Sequence, residues 1–366
     1  MKRRLQGLDV PYHTASWVSY VGSWLNGKTI YRIHDNSSWA LYWVAHYLST
    51  GMQKMNIATK SQLEYRHLRN QIVHFDSRYN YLNQAAESLH PSNHGFLTWY
   101  HGNPQEDAFA PLFEKLLARQ SRLDGVLISN TSTQNELIQA GYSADALYTV
   151  PIGVDTTIFR PKTPQSRQKI RQTLGIETHE FCIGSFQKDG QGWTDGDEPK
   201  LIKGPDILLE VVAELHRQHQ GLVILLLGPS RGYVKNGLDK IGVRYIHHEL
   251  DDYHDVAKYY HALDAYLITS RSEGGPKGFM ESWASGVPVV STAMGMPADY
   301  IQQGDNGFLA PVDNVSQLAQ HMSYLIETRD SIEKMTSRAL ADVQQLDWMV
   351  LAKRCYEQLY QAILES

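Results

Sequence analysis

The sequence predicts an α/β protein of two domains, each a parallel sheet covered by helices on both faces. Three observations lead there. Its 366 residues exceed what one hydrophobic core usually serves. Short apolar runs alternate with helical patterns along most of the chain. The alternation pauses once, at Arg160-Pro-Lys-Thr-Pro-Gln165, where two prolines and polar neighbours suggest a linker, and then restarts.

In the first half, Thr29–Ile33, Ile72–Phe75, Phe96–Tyr100, Gly125–Ser129 and Tyr148–Ile152 read as strands. Helices are expected over Trp39–Ser49, Pro111–Arg122 and Thr133–Ala140, the last ended by Gly141. In the second half the strands are Phe181–Ser185, Leu222–Leu227, Val243–His247, Ala265–Thr269 and Val287–Ser291. The helices between them are Pro205–His219, Tyr253–Leu263 and Gly278–Ser285. Asp347–Leu364 closes the chain as an amphipathic helix. The expected domains are residues 1–160 and 161–345, with residues 346–366 packing back toward the first. Ligand sites in such folds lie in the cleft between the domains.

Composition narrows the function. The chain is 42% hydrophobic and 20% charged with a net charge of −5, so no bulk basic field attracts nucleic acid. A local patch, Lys2, Arg3 and Arg4, reads either as a solvated terminus or as a peripheral contact with an anionic membrane. Cys182 and Cys355 are far apart and lack metal-ligand spacing, which favours a reducing cytoplasm. The basic start is broken by Asp9, Pro11 and His13, unlike a secretory signal. Leu222–Leu227, the longest aliphatic run, is too short to span a bilayer.

The most informative stretch runs from Ser270 to Val290. A strand ends in a loop holding Gly274, Gly275, Pro276, Lys277 and Gly278, and a helix then begins. Glycines let a phosphate approach the backbone, and the free amides and dipole of a helix start favour it there. Glu273 and Glu281 flank this loop, eight positions apart. Carboxylates repel phosphate, so their useful partners are hydroxyls: a sugar ring for Glu273 and a ribose for Glu281. A competing signal is Asp195-Gly-Asp197, a pair that could hold a divalent cation on a diphosphate. It lies in the polar, glycine-rich insertion 187–200, where a solvated loop or a lid is the favoured reading. Trp193 in that insertion could stack on a sugar or simply anchor the loop.

The Glu-x7-Glu spacing, followed by Ala284-Ser-Gly-Val-Pro-Val-Val-Ser291, resembles the signature of the family-4 glycosyltransferases. Ile183-Gly-Ser-Phe-Gln-Lys188, with Lys203-Gly-Pro-Asp-Ile-Leu-Leu209 beyond the insertion, is similar to that family's pyrophosphate-gripping unit. Lys203 matches its lysine. Ser185 stands where its arginine should be, with Lys188 as a substitute. A cation at a helix start is unfavourable unless an anion partners it, which supports a phosphate-binding Lys203. Pro151-Ile-Gly-Val-Asp-Thr-Thr-Ile-Phe-Arg-Pro161 resembles the motif closing the family's first domain, with Asp155 anchoring the loop. Asn36-Ser-Ser38 stands in for its glycine-rich first turn. The resemblance covers about residues 125 to 310.

Further roles follow from the resemblance alone. It implies the GT-B fold, with a donor site in the cleft between two Rossmann-like domains. The reaction it implies moves a hexose-type sugar from a UDP- or GDP-sugar to a glycan or lipid-linked acceptor, with retention at the anomeric carbon. His101, at a strand end, would reach the donor sugar, and His248, beside His247, would lie near the nucleotide base. Lys203, Lys188 and the amides of Gly274–Gly278 would stabilise the departing diphosphate. Neither a cofactor nor a metal is then required, because lysines and a helix start supply the positive potential. A cytoplasmic enzyme, at the inner face of the membrane if its acceptor is lipid-linked, is the expected setting. A nucleotide-sugar hydrolase or epimerase on the same fold, or a non-catalytic binding protein, is the alternative.

Overall fold

Strands form where the chain strings together β-branched, aliphatic and aromatic residues, and their uninterrupted burial requires cover on both faces. The computed structural model describes residues 12–34, 40–85, 87–102, 109–329 and 332–366. The chain divides into two units. Residues up to Ile128, Thr133–Val150 and Trp348–Ser366 make the first; Ser129–Ser132 and Pro151–Asp347 make the second. The Lys2-Arg3-Arg4 patch and Asn36-Ser-Ser38 lie outside the described residues.

The first unit opens with helix α1 (Tyr12–Asn26), strand β1 (Ile30–Ile33) and helix α2 (Ala40–Lys54). Strands β2 (Thr59–Gln62), β3 (Ile72–Phe75), β4 (His94–Thr98), β5 (Gly125–Ile128) and β6 (Leu147–Thr149) follow. All pair in parallel, in the order β2-β1-β3-β4-β5-β6. Val73, Phe75, Leu97, Val126 and Ile128 from these strands form one core with Leu112, Phe113 and Leu137. Residues 348–366 complete this unit. The helix Trp348–Cys355 packs on α2, with the rings of Tyr47 and Trp348 stacked at 5.3 Å. Beyond it the Tyr360 hydroxyl lies 2.6 Å from His74 Nδ1, beside the buried Arg32–Asp76 ion pair.

The second unit contains β7 (Phe181–Ser185), helix α3 (Pro205–Gln218), β8 (Leu222–Leu227), helix α4 (Gly232–Ile241) and β9 (Arg244–His248). Then come β10 (Ala265–Ile268), helix α5 (Lys277–Ala284), β11 (Val289–Thr292) and β12 (Phe308–Ala310). The parallel order is β12-β11-β10-β7-β8-β9, so the winding reverses between β7 and β10. Ile183, Ile224, Leu226 and Val290 pack against Ile207, Val211 and Leu215 of α3 to form its core.

Both sheets are the doubly wound kind read from the sequence, with one correction at the linker. Thr163 accepts a bond from the Ser166 amide at 3.1 Å, and Ser166 Oγ accepts one from the Thr163 amide at 2.9 Å. This reciprocal cap starts the helix Pro164–Leu174, so the second proline is its first residue. The chain therefore passes to the second unit earlier, at Pro151. Asp155 does anchor its loop, accepting from the amide and hydroxyl of Thr157 at 2.9 and 2.6 Å.

Candidate functional site

Doubly wound sheets bind ligands outside the strand ends where the winding reverses. In the second unit that place lies beyond Ser185 of β7 and Ile268 of β10. Gly204 brings the two following segments together. It holds a left-handed φ of +63°, and a Cβ there would run into the Thr269 carbonyl oxygen. Helix α3 thus begins hard against the end of β10, and Thr269 Oγ1 donates to the Gly204 carbonyl at 2.8 Å. The Arg271 amide donates to the Ile202 carbonyl at 2.9 Å, and its guanidinium forks onto Asp206 at 2.9 and 2.6 Å.

This stitching sets Lys203 and Glu273 face to face, with Nζ 2.8 Å from Oε2. Their side chains are only 23% and 12% exposed, so the pair is not an ordinary solvated surface bridge. Glu273 Oε1 accepts from the Ser270 hydroxyl at 2.5 Å, and the Gln187 amide group donates to the Lys203 carbonyl at 2.8 Å. Glu273 supplies an anion to the lysine at this helix start.

The glycine loop leads into α5, whose N-cap is Pro276, a residue with no side-chain acceptor for the helix amides. Gly278 lets the first turn lie directly on the Tyr266 hydroxyl, where any side chain would collide. The Gly274 carbonyl accepts from the Met296 amide at 3.0 Å and from Asn130 Nδ2 at 2.9 Å, within the same unit. Lys277 opens the helix with its ammonium 4.0 Å from the centroid of the Tyr253 ring. Burial pushes that ammonium down to about 8, against the attraction of Glu281.

Glu281 is 4% exposed and already occupied. Its Oε2 accepts from the Tyr260 hydroxyl at 2.7 Å and its Oε1 from Tyr253. Tyr260 is fully buried, whereas Tyr253 sits on the short turn Tyr253–Asp255. A ribose reaching Glu281 would displace Tyr253 more readily than Tyr260. Glu281→Ala is expected to weaken nucleoside-diphosphate binding by about 1–3 kcal/mol, the cost of losing partly buried hydrogen bonds. Calorimetric titration of the folded variant checks this; unchanged affinity would remove Glu281 from the site.

The sequence reading missed Arg231. This residue, just before α4, is fully buried and donates from Nη1 to the Ser185 and Leu227 carbonyls at 2.6 and 3.0 Å. Its Nε donates to Asp189 Oδ1 at 3.0 Å, and its Nη2 lies 3.0 Å from Asp189 Oδ2. A guanidinium therefore does stand against Ser185, but it comes from the end of β8 and Asp189 neutralises it. Lys188 holds its ammonium 3.8 Å from the centroid of the Trp193 ring, which is 62% exposed. Lys200, also missed, is lowered by burial and by the nearby charges of Lys203 and Lys188, so the three lysines share one field.

The insertion 187–200 is exposed from Gln191 to Glu198, in keeping with its reading as a solvated loop, and it is also tied down by hydrogen bonds. The Gln191 amide bonds the Glu198 carbonyl at 2.9 Å, and the Lys200 amide bonds the Asp189 carbonyl at 2.7 Å. Asp195 Oδ1 accepts the Arg231 amide at 2.9 Å and its Oδ2 pairs with Lys235, while Asp197 accepts from Asn236. The two carboxylates thus serve the start of α4 rather than converging on one point. No group of three or more His, Cys, Asp or Glu suited to a metal ion occurs among the described residues.

The histidines are spread more widely. His247 Nε2 lies 2.8 Å from the Gly228 carbonyl, and the His248 ring lies 5.6 Å from that of Tyr259, both at the end of β9. His101 belongs to the first unit, past the end of β4, and is exposed. Its carbonyl accepts from Arg78, whose Nη2 is 3.4 Å from His101 Nε2. Arg78, again unread in the sequence, is held between the rings of Trp99 and Phe109 at 4.9 and 4.7 Å. The structure thus gathers Ser185, Lys188, Lys203, Glu273, Gly274–Gly278, Glu281 and His248 in one unit and leaves His101 in the other.

Residues 199–341, which carry Lys203, His248, Glu273, the glycine loop and Glu281, match the family model described as glycosyl transferases group 1. That match takes in less than half of the chain, so it is a likeness in this segment. Among the curated proteins the chain is similar to is the D-inositol 3-phosphate glycosyltransferase of Corynebacterium aurimucosum. It is 26% identical over 62% of this chain and 54% of its own length. A Catenulispora acidiphila protein, D-inositol 3-phosphate glycosyltransferase 1, is 25% identical over 72% of this chain and 63% of its own. The match thus spans little more than half the length of the curated relatives. Among solved structures, Anabaena HepE in complex with UDP aligns at a TM-score of 0.74 and 17% identity, covering 91% of this chain and 100% of that one. Sucrose-phosphate synthase from Thermosynechococcus elongatus aligns at 0.72 and 15%, covering 93% and 100%. These likenesses show that the chain has the GT-B fold.

Proposed function

We propose that this chain transfers a hexose-type sugar from a nucleoside-diphosphate donor to a glycan or lipid-linked acceptor, with retention at the anomeric carbon. One observation carries the proposal: Lys203 and Glu273 meet where the winding reverses, beside a glycine loop that opens a helix. A diphosphate takes the lysine and the loop amides, and sugar hydroxyls take the carboxylate. The bond from the anomeric carbon to the diphosphate oxygen breaks, and the acceptor oxygen bonds that carbon from the same face. The acceptor proton passes to the departing phosphate. Lys188 and Lys200 add to the field on the leaving group, Glu281 serves the ribose, and His101 keeps the sugar contact that the resemblance implies.

A UDP-sugar is the first donor to test, because Anabaena HepE is solved with UDP and with UDP-glucose. D-inositol 3-phosphate, named for the curated relatives, is one acceptor to include. The test is a thermal-shift panel of nucleotide sugars followed by nucleotide release with and without acceptor. A ligand that binds only the native state raises the melting temperature. Release that needs acceptor supports transfer. Release without any acceptor requirement makes the chain a hydrolase, and binding without release makes it a non-catalytic binder.

No metal enters this scheme. Turnover is expected to persist in EDTA, and Asp195→Asn combined with Asp197→Asn should remain within a few-fold of the parent. Complete loss in chelator, restored by magnesium or manganese, would show that the aspartate pair serves the diphosphate after all.

A further inference from the structure

Helix α1 is built inside out. Its large apolar residues Trp17, Val18, Tyr20, Val21 and Leu25 are 70%, 66%, 46%, 39% and 75% exposed. At 3.6 residues per turn, Trp17, Val21 and Leu25 form one stripe, with Val18 and Tyr20 at its sides. The opposite face is small and polar, and that is the face turned to the protein. Ser16 and Ser23 are buried, Ser19 Oγ accepts the Arg69 amide at 3.1 Å, and Ser23 Oγ accepts from Asn70 Nδ2 at 3.1 Å. A helix serving only its own core would put these faces the other way round.

Charge says what covers the apolar face. From Tyr12 to Asn26 there is no Asp, Glu, Lys or Arg. The first 70 residues hold nine Lys and Arg against three Asp and Glu, whereas the rest of this net-acidic chain holds 25 against 36. Some of that basic charge borders α1. Lys28 follows the helix, and Lys60 lines a groove of about 490 Å³ with Val18, Gly22 and Tyr31. An uncharged apolar face carrying Trp17 and Tyr20, with Lys28 and Lys60 beside it, matches the boundary between headgroups and acyl chains. No helix among the described residues is long and apolar enough to cross a bilayer.

We infer that α1 is an interfacial helix that seats this protein flat on an anionic lipid surface. Seating on lipid depends on α1 and its rim and not on how a donor binds.

The test is sedimentation of the full chain with vesicles of phosphatidylcholine alone, or of phosphatidylcholine and phosphatidylglycerol in equal parts. The parent should sediment with the anionic vesicles, be released by salt, and stay in solution with the neutral ones. Trp17→Glu combined with Leu25→Glu should weaken partitioning by about tenfold or more, since two large apolar side chains no longer enter the lipid. The unfolding midpoint should stay put, because both residues are exposed. Lys60→Glu should give a smaller loss. A parent that ignores anionic vesicles, or a folded double variant that binds them like the parent, overturns the inference. So does a parent that is dimeric by sedimentation velocity and becomes monomeric in the double variant, since a second copy would then be the cover.

Discussion

Lys203→Ala should lower sugar-transfer turnover by about a hundred- to a thousand-fold while leaving the protein folded. Removing a charge aimed at a developing oxyanion costs on the order of 3–4 kcal/mol. On the proposed reading Lys203 would carry more of this work than a paired arrangement, because the guanidinium nearest Ser185 is already paired with Asp189. The same substitution also releases Glu273 from its 2.8 Å partner, adding a bare carboxylate beside the phosphates. Single-turnover kinetics with the best donor of the thermal-shift panel is the measurement. A parallel Lys188→Ala variant should fall as far only if its ammonium leaves Trp193 to reach the diphosphate. Normal transfer by both variants would place the pyrophosphate elsewhere.

The largest stability effect is expected at Arg231. Both it and Asp189 are fully buried, so Arg231→Met strands a carboxylate without its cation and costs about 3–5 kcal/mol. Burial already raises the Asp189 carboxyl above its ordinary value, with Arg231 pulling it back. The urea-unfolding transition of the variant should move accordingly, and Arg231→Met with Asp189→Leu should recover much of the loss, since an apolar pair carries no stranded charge. If the single variant unfolds where the parent does, the pair contributes nothing net. If the double variant is no better than the single, the loss lies in the bonds to the Ser185 and Leu227 carbonyls instead.

The inner strands were legible because their signal is local. Leu222–Leu227 is aliphatic throughout and buried throughout, and Phe181–Ser185 and Ile72–Phe75 were read to the residue. The edge strands β2 and β12 were not. Thr59-Lys-Ser-Gln62 is polar because one side of an edge faces solvent, and Phe308–Ala310 is too short to show a period. Helix α1 escaped notice because its apolar stripe does not mark a core. The same distinction holds at the candidate site. Lys203 and Glu273 stand out because a helix start and a glycine loop give them a local context. Arg231 acts on Ser185 from 46 positions away, and Tyr253 and Tyr260 meet Glu281 across 28 and 21, so only the folded sheet reveals them.

The return of residues 348–366 to the first unit has a consequence for how the chain is made. Tyr360 completes a buried cluster with His74 across 286 positions, and Arg32 and Asp76 share it. On the ribosome, β1 to β6 emerge first but lack the helix that covers α2 and the phenol that fills this cluster. The second unit, nearly continuous from Pro151 to Asp347, has all its strands and helices before those last residues leave the exit tunnel. Domains generally fold as units in the order of synthesis. Here that order is inverted: the half that is translated first is the last to be finished, and until then its apolar faces depend on the nascent chain's surroundings to keep them from aggregating.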